Sequence, residues 1–138
     1  MQQISINGLK FTYEKERDLF NGLLKINGVS KKKFCEKFGF SYSYVNAWGS
    51  TTKVKEIKYP SWVFHYLKDV MYYKIEAIKI KISLTKIYER LNAGETLTDI
   101  YKEVASNSQS YVDELDSHIN IPQEFTVQEE LFVFSFSA

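Results

Sequence analysis

Residues 29–49 bring helix start and stop signals close together, and this spacing constrains the fold more than any other part of the chain. Ser30 precedes a lysine-rich run and is a typical N-cap residue. Gly39 ends that run, because glycine adopts the left-handed conformation of a sharp helix exit at little steric cost. Ser41 then caps a second helix. The pattern predicts two short helices joined by a tight turn.

The two predicted helices each have an inward apolar face and an outward polar face. The outward face of the second helix carries Tyr42, Ser43 and Asn46, with Tyr44 and Ala47 at its border. The inward residues of the segment are Phe34, Cys35, Phe38, Phe40, Val45 and Trp48.

This segment resembles the helix-turn-helix of the Cro and lambda-repressor-like family of DNA-binding proteins. The family usually has alanine where Cys35 stands, and Glu-Asn-Gly where this chain has Gly49-Ser50-Thr51. The second departure changes how the chain leaves the second helix. With flanking helices the resemblance covers residues 14–75, and it implies a dimer that binds a roughly palindromic DNA operator. The matching positions are Ser30, Phe34, Cys35, Gly39, Phe40, Ser41, Val45 and Trp48.

The resemblance also implies which side chains contact DNA. Tyr42, Ser43 and Asn46 are expected to read base edges in the major groove, and asparagine suits a bidentate contact with adenine. Phosphate contacts fix a protein on the duplex without reading its sequence. The residues expected to make them are Lys31, Lys32, Lys33, Tyr44, Lys53 and Lys55.

Charge is divided unevenly along the chain. Residues 1–88 contain 16 basic and 7 acidic side chains, a net charge of +9, whereas residues 89–138 contain 2 basic and 10 acidic ones, a net charge of −8. The basic part suits a phosphate backbone. DNA would repel the acidic part, so we expect that part to face a protein partner, a second subunit or the basic surface itself.

The segments on either side of the two predicted short helices complete the same domain. Ile4, Ile6, Leu9 and Phe11 flank Asn7-Gly8, which predicts a β-hairpin. Residues 14–26 form an amphipathic helix pattern, and residues 49–59 are a lysine-rich loop or wing. Residues 1–59 are therefore the predicted DNA-binding domain.

Residues 60–92 carry the longest periodic pattern, which begins at Pro60. A heptad row predicts a connecting helix that dimerises, and a second apolar row, which includes Leu67, Met71 and Ile82, would cover the core. The alternatives are a helix buried wholly within one monomer and two helices separated by a break near Ser83. The predicted dimer contacts are Val70, Tyr73, Ala77, Ile80, Leu84 and Ile87.

Residues 93–138 are predicted to form an acidic helical module with a terminal strand. Residues 96–119 loosely echo the first motif but lack its lysine cluster and its turn glycine. Phe132, Phe134 and Phe136 alternate with smaller residues, as in a strand with one aromatic face. That strand could add to the hairpin, exchange between subunits or bind another protein.

The predicted fold class is mainly α, a helix-turn-helix bundle with a small β element from the hairpin and the terminal strand. The predicted function is transcriptional regulation by a dimeric repressor of phage or plasmid type in the cytoplasm, without enzymatic activity, cofactor, metal or membrane contact. The only histidines, His65 and His118, lie in no catalytic motif. The alternative is an antitoxin or anti-defence inhibitor whose acidic C-terminal segment binds a protein.

Overall fold

The fold combines α-helices with a small antiparallel sheet. The computed structural model describes residues 1–52, 54–100 and 118–130. Along this part of the chain the elements are β1 (Gln2–Ile6), β2 (Leu9–Tyr13), α1 (Glu16–Ile26), α2 (Lys31–Phe38), α3 (Tyr42–Asn46), α4 (Ser61–Asn92) and β3 (Thr126–Glu129). The expectation of a helical chain with a small β element is confirmed in this coarse form, as a mixed fold.

The sheet has the order β1-β2-β3, and both neighbouring pairs are antiparallel. Asn7 and Gly8 have φ angles of 49° and 77°. Positive φ at both positions is what a two-residue turn between twisted strands requires, so the predicted hairpin is confirmed. Phe11 in β2 lies opposite Ile4 on one side and Val127 on the other. The predicted terminal strand at Phe132–136 lies outside the described residues.

Helix α1 packs against α4 and β2, and its Phe20 contacts Phe34 of α2. It begins at Glu16, two residues after the predicted start, with the side chain of Asp18 accepting a hydrogen bond from the Lys15 backbone N–H at 3.1 Å. This contact satisfies one of the free donors at a helix start. Its predicted apolar stripe is buried as expected, at Leu19, Phe20, Leu23 and Leu24.

Helix α4 runs without interruption over 32 residues, so the alternative break near Ser83 is not present. Its buried residues are four or seven positions apart, which places them on one helix face. Ile75 is among them, although the sequence pattern placed it in neither apolar row. The buried residues of α4 are Val63, Leu67, Met71, Ile75 and Ile82.

Residues 118–130, here called the C-terminal strap, pack against β2 and α1. Phe125 packs against Phe11 with ring centroids 5.4 Å apart, and its ring also covers Gly22 of α1. Lys25 forms an ion pair with Glu124. The sheet therefore unites the first and last of the three predicted segments, because β3 pairs directly with β2.

Candidate nucleic-acid interface

Two serine caps and one left-handed glycine define α2, α3 and the turn between them. The Ser30 hydroxyl accepts a hydrogen bond from the Lys33 backbone N–H at 3.1 Å, and the Ser41 hydroxyl accepts one from Tyr44 at 3.2 Å. Gly39 ends α2 with a φ angle of 73°. These are the start and stop signals that the sequence predicted, and here they set the relative placement of the two short helices.

Aromatic packing holds α3 against the rest of the domain. The buried ring of Trp48 lies 5.9 Å from that of Phe20 in α1 and 6.2 Å from that of Phe34 in α2, centroid to centroid, and both pairs are edge-to-face. Such pairs contribute about 0.5–1.5 kcal/mol each beyond the area they bury. Phe34, Cys35 and Val45 are also buried, whereas Phe40, predicted as buried, is only half-buried. This support leaves the opposite face of α3 free to meet a ligand.

The outward face of α3 is exposed and rich in hydrogen-bonding groups. Tyr42 is 55% exposed, and Ser43 and Asn46 are also exposed. Ser43 and Asn46 are three positions apart, so they lie on the same side of the helix. Tyr44 is 49% exposed, with its ring against Phe40 and Trp48. The structure thus brings together the three residues expected to read bases and places Tyr44 at their border.

Lysines of different exposure flank this face. Lys32 and Lys33 are exposed in the first turn of α2, and Lys55 is exposed in the loop that follows α3. Lys31 differs, since it is half-buried and its Nζ donates to Asn46 Oδ1 at 3.2 Å. Burial lowers the pKa of Lys31, and the neighbouring Arg17 guanidinium lowers it further. The side chain of Lys53, also expected to contact phosphate, lies outside the described residues.

The loop after α3 is a short folded arm. The Gly49 N–H donates to the Ile57 carbonyl at 2.7 Å, the Ile57 N–H donates to the Ser50 carbonyl at 3.0 Å, and Thr51 and Glu56 form an isolated antiparallel bridge. Backbone pairing of this kind holds the two ends of the loop together. The interpretation of residues 49–59 as a loop or wing agrees with these contacts, and Lys55 is exposed within it.

Arg17 lies next to the candidate site, and the sequence pattern did not predict this position. Its Nη2 donates to the backbone carbonyl of Trp48 at 3.4 Å, at the point where the chain leaves α3. Burial raises the pKa of Tyr59, and a hydrogen bond from Arg17 opposes that rise. A basic residue in the acidic first turn of a helix is the only sequence signal that could have drawn attention to it.

The predicted dimer row lies on the side of α4 turned away from its buried residues. Tyr73 is 70% exposed, Ile80 52% and Leu84 61%; Ala77 is also exposed, while Val70 and Ile87 are half-buried. Near the end of the helix the same side bears a groove of about 450 Å³. The groove is lined by Leu84, Thr85, Ile87, Tyr88 and Leu91.

Comparison of the chain with protein-family models, with known proteins and with solved structures finds no match. In the described part of the chain, no helix has both the length and the apolar character needed to cross a membrane.

Proposed function

We propose that α2 and α3 form a helix-turn-helix of the Cro and lambda-repressor-like type, and that the protein is a sequence-specific regulator of transcription that binds duplex DNA. The observation that carries this proposal is the exposed face of α3, where Ser43 and Asn46 lie on the same side of the helix and Lys31 of α2 contacts Asn46. A face of this kind supports recognition rather than catalysis. A phage or plasmid repressor acting in a bacterial cytoplasm is the role that the resemblance favours.

In this mechanism α3 enters the major groove and the lysines contact the backbone on either side. Ser43 and Asn46 form hydrogen bonds with base edges, where each base pair presents a distinct pattern of donors and acceptors. Tyr42 lies at the start of α3, where a hydroxyl-bearing ring can reach a base edge or a thymine methyl group. Lys32, Lys33 and the neighbouring Lys55 neutralise phosphates and displace counterions.

The first test is binding of the purified protein to fragments of its own upstream region and to random duplex, each at two salt concentrations. We expect a specific footprint and an affinity that falls steeply with salt. Absence of binding to any duplex at low salt would contradict the proposal and direct the search to a protein target of the acidic C-terminal segment.

Three variants separate the roles of the site residues. Asn46→Ala and Ser43→Ala should each relax sequence preference, at a cost of about 1–3 kcal/mol per good base contact. Lys32→Ala should weaken binding to all sequences alike and lower the salt slope by about 1. Lys10→Ala is the matched control, because it removes one positive charge from the middle of β2, opposite Ser5 and Gln128. Equal effects of Lys32→Ala and Lys10→Ala would show that net charge alone matters.

We further propose that the protein binds two half-sites as a homodimer through the exposed row of α4. An operator read in this way has half-sites about one helical turn apart. Sedimentation tests the assembly: Leu84→Asp, at a position 61% exposed, should yield monomers without disturbing the core. Lys68→Asp is the control, an exposed charge reversal on α4 outside the row. A wild-type protein that sediments as a monomer at micromolar concentration would refute the dimer.

A further inference from the structure

Lys31 and Asn46 are joined across the two short helices, at the edge of the face proposed to read DNA. Lys31 opens α2 and Asn46 ends α3, and the Lys31 Nζ lies 3.2 Å from Asn46 Oδ1. An ammonium group has only hydrogen-bond donors. The amide atom that faces it must therefore be the oxygen, which leaves the Asn46 Nδ2 donors for other partners.

The surroundings of Lys31 favour this contact. Lys31 is half-buried, whereas its neighbours Lys32 and Lys33 are exposed. The charge of Arg17 lies near enough to repel it, so an acceptor beside Nζ is needed to compensate for lost hydration. Asn46 Oδ1 supplies that acceptor, and the contact holds the Asn46 side chain in one orientation.

We propose that Lys31 is a positioning residue that makes Asn46 a hydrogen-bond donor toward DNA, so that the base contacted by Asn46 is guanine. This inference rests on the DNA-binding function proposed above. Guanine presents two acceptors, N7 and O6, in the major groove, while adenine presents one acceptor and one donor. A bidentate contact with adenine needs the asparagine oxygen to accept from the adenine amino group. Lys31 Nζ already uses one of that oxygen's two lone pairs and places a second donor beside the adenine amino group, which disfavours adenine. Asn46 Nδ2 and Lys31 Nζ together offer only donors, and this matches guanine.

Selection of binding sites from a random duplex library tests the assignment. The position read by Asn46 is the one whose base preference disappears in Asn46→Ala. Wild-type protein and Lys31→Arg, which keeps donors only, should select guanine there. Lys31→Met, which has a side chain of similar length without a donor, should shift the guanine-to-adenine ratio at that position by roughly tenfold or more. Lys32→Met is the matched control: it loses the same charge, has an exposed position, and should leave every base preference unchanged.

A second measurement requires no variant at Lys31. Replacing the selected guanine with 7-deazaguanine removes the N7 acceptor, so wild-type binding should weaken while binding by Asn46→Ala should not change. Selection of adenine by the wild-type protein, or an unchanged preference in Lys31→Met, overturns the positioning role but leaves the DNA-binding function standing. Failure of the wild-type protein to enrich any sequence overturns both.

Discussion

The ring of Phe125 lies very close to Gly22. A methyl group at position 22 should therefore destabilise the protein when the ring is present and stabilise it when the ring is absent. A Cβ atom at Gly22 would stand 2.4 Å from both Cε2 and Cζ of Phe125. Ordinary contacts begin near 3.4 Å, so the ring would have to move by about 1 Å. Phe125 is only 7% exposed and packs edge-to-face on Phe11, which restricts that movement.

Two opposing contributions set the effect of Gly22→Ala on the free energy of unfolding. Overpacking a core by one methyl group costs about 1–3 kcal/mol, while replacing glycine with alanine inside a helix gains about 1 kcal/mol. Gly22→Ala should therefore change the free energy of unfolding by between about zero and 2 kcal/mol in the destabilising direction. With Phe125→Ala the clash is gone, and the same Gly22→Ala change should stabilise by about 1 kcal/mol. The coupling between the two positions is thus about 1–3 kcal/mol.

The assay is urea unfolding of the wild-type protein, both single variants and the double variant, followed by circular dichroism. Phe125→Ala alone should cost about 3–5 kcal/mol, unless the C-terminal strap detaches first and limits the loss. Phe125→Leu gives a milder background if that variant is too unstable to measure. Equal effects of Gly22→Ala in both backgrounds would refute the reasoning, because the ring would then not occupy the space above the glycine.

Three further perturbations test separate parts of the structure. Cys35 is buried, and burial raises the pKa of its thiol, so a thiol reagent should label it slowly in the native state and rapidly in urea; rapid native labelling at pH 7 would contradict this. Burial alone would raise the pKa of Glu124, but its hydrogen bonds and the Lys25 charge lower it overall. The stability from this pair is therefore present above pH 4.5 and lost as the pH falls through the folded-state value, and Glu124→Gln should remove this pH dependence of unfolding. Gly39→Ala should cost about 1–2 kcal/mol in urea unfolding, since its φ is 73° with open space around a Cβ, and Gly39→Asn should cost less.

The sequence predicts the two short helices well because their signals act over a few residues. Ser30 and Ser41 each cap a backbone N–H three positions ahead, and Gly39 needs only its own φ angle to end α2. Such local rules do not depend on what the rest of the chain does. The hairpin at Asn7 follows for the same reason, since both turn residues adopt the positive φ that the dipeptide favours.

Contacts between distant residues are what the sequence could not predict. The hydrogen bond between Lys31 and Asn46 depends on the placement of α2 against α3, and the burial of Ile75 depends on which side of α4 meets the core. Lys31 was expected to contact phosphate with its neighbours, and only the structure distinguishes it from them. Helical periodicity marks several faces of an apolar helix as candidates, and tertiary packing selects one of them.

Two carboxylates of the acidic C-terminal part, Glu124 and Glu130, lie in the C-terminal strap, and their partners are residues of α1 and β1. In the described residues, Glu124 forms an ion pair with Lys25 of α1, and Glu130 accepts a hydrogen bond from Ser5 beside the sheet. Both carboxylates therefore have hydrogen-bond partners on α1 and β1. Within the part of the chain that the structure describes, neither carboxylate forms an ion pair with a lysine of α2, so these lysines stay available for the phosphates of the proposed DNA ligand. The strap thus stabilises the domain that carries α3 without these two carboxylates competing for its basic face.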